Sequence, residues 1–269
     1  MLRWAFVAAW LALPAHAAPP VAADLVRAAR DPAELARLAE RLGPAGLRPH
    51  FVGPPDVRRA AFAAARLGPE AARMIPWLAG LAGHADPDVA TGAAEAAAAI
   101  ARNLEPAGAE EEDLPPDVIA ASAAACAEVA RGDRDAGVRI AALACAADVG
   151  KLAGLRFDLS DDPDPAVRRA ALPYAPRAAL LAHAGDPDDG VALAAAGWSC
   201  TARAWGELPA AVRARHQALV LDPTREPADL ARVLRCLRVS RDPGERKAAA
   251  QVARSRKHPA SVRRVAKSG

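Results

Sequence analysis

The chain has 269 residues, 52% hydrophobic but only 4% aromatic, with a net charge of +3. So few Phe, Trp and Tyr exclude a wide core, while abundant alanine suits the narrow seam between closely packed helices. The near-neutral balance excludes a chain that is basic throughout, such as a nucleic-acid coat. Arginine also far outnumbers lysine, with the first lysine at Lys151, a pattern of coding bias that favours alanine as well.

Taken in chain order, the first segment reads as a signal peptide spanning residues 1–17. Met1-Leu2-Arg3 gives a short positive start, Trp4 to Leu13 is apolar, and Ala15-His16-Ala17 follows Pro14 as a cleavage signal. The apolar run is too short to span a membrane as a stable helix. The mature chain is expected to begin at Ala18, in a periplasmic or secreted setting.

Residues 18–269 are built on one recurring phrase, Asp-Pro or a near relative, then valine, then basic and alanine residues. It appears at Pro55-Asp56-Val57-Arg58-Arg59, Asp86-Pro87-Asp88-Val89 and Asp133-Arg134-Asp135-Ala136-Gly137-Val138-Arg139. It returns at Asp162-Pro163-Asp164-Pro165-Ala166-Val167-Arg168, Asp186-Pro187-Asp188-Asp189-Gly190-Val191, weakly at Asp222-Pro223, and at Asp242-Pro243 and His258-Pro259. Each copy predicts a helix start, because Asp accepts first-turn N–H groups and Pro fits the first helical position. Helical stripes follow, as in Val89, Ala93, Ala97, Ile100 and Leu104, or Val138, Ala142, Cys145 and Val149. Met74, Ile75, Leu78 and Leu81 form a matching stripe before one start, so the unit is helix, turn, helix. The copies are unevenly spaced, and Glu110-Glu111-Glu112-Asp113 between prolines marks an acidic loop insertion at 105–116.

Leu67-Gly68-Pro69-Glu70-Ala71-Ala72, then Ile75-Pro76-Trp77-Leu78, then Asp86-Pro87-Asp88-Val89, resembles one consensus unit of the HEAT-repeat family. The resemblance is strongest from about residue 56 to 200. It implies an all-α fold, an α-solenoid of stacked helix pairs (a HEAT-like superhelix) whose concave face often holds a partner. It also implies a ladder between repeats, from an Asp in the turn and an Arg six residues on: Asp133 with Arg139, and Asp162 with Arg168. Position 192 is alanine where the next Arg would fall, so the ladder is expected to break there.

Four cysteines, Cys126, Cys145, Cys200 and Cys236, allow three pairings. Cys126 and Cys145 flank one predicted turn, and Cys200 and Cys236 follow Asp-Pro starts by equal steps; buried free thiols are the alternative. His84 and His183 each precede an Asp-Pro turn, a place where histidine can cap the carbonyls ending a helix. The sequence holds no metal-protease HExxH, no Gly-x-Ser-x-Gly, no phosphate-cradling loop and no zinc spacing, so neither catalysis nor a cofactor is expected. From Arg241 onward nine cations face only Asp242 and Glu245. Arg254, Arg256, Lys257, Arg263 and Arg264 are the candidate polyanion contact, with a solvated terminal cap as the plain reading. Aromatic interleaving for base stacking is missing there, which argues against nucleic acid. The acidic loop could touch this end or bind calcium, but a solvated connector explains it.

The sequence therefore points to a non-enzymatic protein-binding scaffold of the cell envelope, with an unidentified protein partner and no small-molecule substrate. The alternative is an anionic-surface binder (lipid, glycan or nucleic acid) acting through the basic end. A bilin-lyase-like enzyme, another reading of HEAT-like repeats, finds no residue set here. Membrane contact is expected only through an uncleaved signal peptide or the basic end.

Overall fold

The computed structural model describes residues 20–68, 70–104, 114–132, 134–155, 158 and 160–267. The segment expected to be a signal peptide, residues 1–17, and the acidic run Glu110–Asp113 lie outside these residues. Among the described residues every regular element is helical, so the protein is all-α. No helix among them is long and apolar enough to cross a membrane. The chain divides into two compact units, Met1–Ala71 and Ala72–Gly269.

In the first unit, α1 (Pro20–Ala28), α2 (Pro32–Leu47) and α3 (Pro55–Ala65) pack on one another. Asp31 caps α2, accepting the Ala33 N–H at 2.8 Å, with Pro32 at the first helical position. Gly43, at φ 59°, breaks α2 just before Pro44, a backbone turn only glycine makes cheaply. Leu25, Leu35, Leu38, Phe51 and Phe62 fill the core, and the Phe51 and Phe62 rings stack with centroids 4.8 Å apart.

The second unit contains α4 (Ile75–Leu81), α5 (Pro87–Leu104), α6 (Pro116–Arg131), α7 (Ala136–Leu152), α8 (Pro165–Ala171), α9 (Arg177–His183), α10 (Asp189–Thr201), α11 (Ala210–Leu219), α12 (Pro227–Val239), α13 (Pro243–Arg254) and α14 (Ala260–Lys267). Successive helices pair as α4–α5, α6–α7, α9–α10 and α13–α14, while α11 rests on α10 and α13. The second members also touch in sequence, α5 on α7, α7 on α8, α8 on α10, α10 on α12 and α12 on α14. First members meet as α4 with α6 and α11 with α13.

Alanine makes this closeness possible. Ala93, Ala94, Ala97 and Ala101 of α5, Ala142 and Ala146 of α7, and Ala192, Ala195 and Ala196 of α10 are buried. Gly197 of α10 goes further, since a Cβ there would lie 2.8 Å from Arg232 Cβ on α12. Larger side chains, among them Leu193, Leu230, Leu234, Val252 and Val262, fill the core shared by α10, α12, α13 and α14.

Two expectations about local structure need correction. Pro116 opens α6 as its first residue, so the inserted loop ends before it. Asp222-Pro223 is no helix start: Asp222 Oδ1 accepts the N–H and hydroxyl of Thr224 in a tight turn, and α12 begins only at Pro227.

Candidate functional site

The turns carry pairs of aspartates, and the two members have different jobs. In Asp162-Pro163-Asp164 the second carboxylate caps α8, accepting the Ala166 N–H at 2.8 Å. Asp162 takes the Asp164 N–H and Arg139 Nη2 at 3.0 Å, from α7. In Asp186-Pro187-Asp188 the second carboxylate again caps, here α10 through the Val191 N–H. Asp186 accepts Arg168 Nε and Nη2, both at 2.9 Å. The capping role expected of the first Asp therefore falls to the second in these copies, which frees the first to reach a neighbour.

Each arginine thus pairs forward, with the following turn, and Asp133 lies outside the described residues. Arg168 also donates through Nη1 to its own turn, to Asp162 O and Pro163 O, and Arg139 likewise donates to Arg134 O. Burial alone would raise the Asp186 carboxyl. The Arg168 fork, the Asp188 N–H and His183 outweigh it and hold the group below the usual carboxylate range. Where Ala192 breaks the pattern, Asp189 takes over: Arg215 reaches its Oδ1 at 2.6 Å and Arg225 its Oδ2 at 2.7 Å. Arg225 also pairs with Asp222 at 3.0 Å, so the ion-pair line continues through the break by other residues.

The carbonyls just after α4, α9 and α11 are capped from elsewhere in the chain. Arg134 donates to Gly83 O and His84 O after α4. His216 Nε2 donates to Ala184 O at 2.9 Å, and His258 Nε2 to Val220 O at 3.0 Å. His84 and His183, expected to do this capping, serve their own turns: His84 Nδ1 accepts the Asp86 N–H, and His183 Nδ1 sits 3.3 Å from Asp186. His216 is fully buried with no partner on Nδ1 among the described residues, and burial lowers its pKa.

A second set of charges lies on α5, α7, α8, α10 and α12. Asp148 of α7 accepts Arg102 of α5 at 2.5 Å and Lys151, one turn on, at 3.4 Å. Lys151 Nζ stands 5.6 Å from the Tyr174 ring centre. Burial, together with Asp148, raises the Tyr174 hydroxyl pKa. Asp229 of α12 repeats the plan: Arg169 of α8 reaches it at 2.5 Å, Arg232 one turn on at 2.8 Å, and Arg232 lies 4.5 Å above the Trp198 ring. Both carboxylates are buried, at 2% and 4% exposure, while Arg102, Lys151, Arg169 and Arg232 remain 49%, 47%, 41% and 31% exposed. None of these eight residues stood out in the sequence. The available signal was a carboxylate inside an apolar helix with a cation three residues on, Asp148/Lys151 and Asp229/Arg232.

Two disulfides are present, Cys126–Cys145 joining α6 to α7 and Cys200–Cys236 joining α10 to α12, with Cα–Cα distances of 5.8 and 5.9 Å. The first is fully buried; both cysteines of the second are half-buried. At the C-terminal end Arg254, Arg256, Lys257 and Arg264 are exposed and Arg263 half-buried, and among the described residues none of the five has a carboxylate partner. An open cleft of about 580 Å³ lies beside α9, lined in part by Asp158, Ser160, Asp161, His183 and Asp186. Its Ser160 hydroxyl is buried and donates to Asp158, while Asp186 is partnered by Arg168 and His183 and Asp161 by His183. Among the described residues no group of three or more His, Cys, Asp or Glu could hold a metal. Comparison of the chain with family models, with curated proteins and with solved structures returned no match.

Proposed function

We propose that the protein is an exported α-solenoid of HEAT-like helix pairs that acts as a non-enzymatic scaffold for a protein partner. The observation that carries the reading is the repeated joint between successive turns: Arg139 to Asp162 and Arg168 to Asp186, continued by Arg215 and Arg225 on Asp189. Such a joint, with contacts that run from each helix to the next equivalent one, is how a helical stack propagates. The cations and half-buried rings along α5 to α12 support a binding role for this surface. Two disulfides suit an oxidising compartment and so support export.

Crosslinked affinity capture of the tagged full-length precursor from its host tests this. Recurrent recovery of one or two envelope proteins, with a bait N-terminus near Ala18, is the expected result. A bait that keeps Met1 among cytoplasmic proteins rejects export, and recovery of the bait alone rejects the scaffold.

A second reading rests on the cations of the basic end, which have no carboxylate partner among the described residues and fit an anionic surface. Replacing Arg254, Arg256, Lys257, Arg263 and Arg264 by Gln should then abolish retention on heparin without changing the melting temperature. Unchanged retention removes this reading.

A further inference from the structure

The two clusters around Asp148 and Asp229 share a plan that structure alone does not require. One cation neutralises a buried carboxylate, yet each site holds two, one from another helix and one from the next turn of its own. The carboxylates are sunk and the cations are outside, so at both sites it is the cations that face solvent. In each, the cation from the same helix rides on a half-buried ring, Lys151 on Tyr174 and Arg232 on Trp198. The sites are joined through α8. Arg169 leaves that helix, passes α10, which lies between α8 and α12, and ends on Asp229, while Tyr174 follows α8 and stands beside Lys151.

Resting on the scaffold reading above, we propose that this strip binds an extended acidic segment of a partner protein, its carboxylates on Arg102, Lys151, Arg169 and Arg232 and its body on Tyr174 and Trp198. Charge complementarity selects the occupant. Three of the four cations are guanidiniums, whose planar forks match carboxylates, and the underlying Asp148 and Asp229 fix where those forks point. The same two aspartates halve the net field, which suits a segment bearing a few carboxylates better than a dense polyphosphate. Half-buried Tyr and Trp beside arginine are the residue types that anchor protein partners. From Lys151–Tyr174 to Arg232–Trp198 is about two helix spacings, roughly 20 Å, a span covered by about six extended residues.

The test is fluorescence anisotropy on the full chain with a labelled acidic peptide of about ten residues that carries one central aromatic. Arg102→Gln with Arg169→Gln is the primary variant, because Asp148 keeps Lys151 and Asp229 keeps Arg232. Affinity is expected to fall roughly tenfold or more, and the wild-type affinity to weaken steeply with salt. Trp198→Ala should weaken it as well. If the double variant fails to melt cooperatively, Arg102→Gln/Asp148→Asn and Arg169→Gln/Asp229→Asn remove the charges in pairs and decide the matter. Unchanged affinity in variants that fold overturns the proposal. So does a loss confined to a single-stranded oligonucleotide or to phosphatidylserine vesicles, run as competing probes. Capture of the same envelope protein by wild type and double variant would overturn this strip as the contact while leaving the scaffold standing. Strip-dependent peptide binding with no captured partner would do the reverse.

Discussion

His216 shows how much one side chain can carry in this fold. It donates through Nε2 to Ala184 O while its Nδ1 lies buried without a partner, so the neutral ring is the form that fits. The folded state holds it neutral, whereas the unfolded chain takes up a proton near pH 6.5. Stability should therefore fall as pH drops below about 6.5 and level off once pH passes the depressed folded value. Melting temperatures measured between about pH 7.5 and 5 read this, and His216→Gln, which keeps a donor without titrating, should remove part of the slope. The rest belongs to His50, which burial also lowers. A separate loss, as Asp186, Asp189 and Asp222 are protonated, comes only below about pH 4. Arg168 carries a different burden, since its removal strands a buried carboxylate. Arg168→Met should cost about 3–5 kcal/mol in urea unfolding, and adding Asp186→Asn should recover most of it.

At the level of helices, the packing of α10 on α12 is held by a missing side chain and a covalent bond. Gly197→Ala places a Cβ against Arg232 Cβ, so the helices must part, at a cost of about 1–3 kcal/mol in thermal or urea unfolding. The Cys200–Cys236 bond is half-exposed and the Cys126–Cys145 bond buried, so graded reduction followed by alkylation and peptide mapping should label Cys200 and Cys236 first. Chain entropy assigns about 4 kcal/mol to the first bond and about 3 kcal/mol to the second. Much at this scale could be read from the sequence. Asp242-Pro243 opens α13 as its residues dictate, and the family resemblance marks Arg139 and Arg168 as ladder residues. Which Asp each arginine meets could not be read, because a turn with two aspartates offers two equal local partners. The strip was hidden for a stronger reason: Arg102 meets Asp148 across 46 residues and Arg169 meets Asp229 across 60. No periodicity within a helix encodes a pairing that distant, and a lone carboxylate among alanines looks like any other solvated charge.

Across the second unit, helices rest chiefly on their immediate equivalents, so protection should decline toward its end. Hydrogen exchange is expected to be slowest in α7, whose residues 141–150 are buried save Ala144, and fastest in α14, which packs chiefly on α12 and α13. Uniform protection across all helices would contradict that. Arg169 of α8 departs from the neighbour-only rule, reaching past α10 to α12, and Cys200–Cys236 ties α10 to α12 covalently. Under tension this pair becomes a stop. A molecule pulled by its two ends would surrender the helices outside α8–α12 first and then halt, with residues 201–235 between the two cysteines held out of reach. Roughly 120 Å of contour would stay locked behind Cys200–Cys236, and roughly 60 Å behind Cys126–Cys145, at any load that spares covalent bonds, and both would appear in the force trace only after a reductant is added.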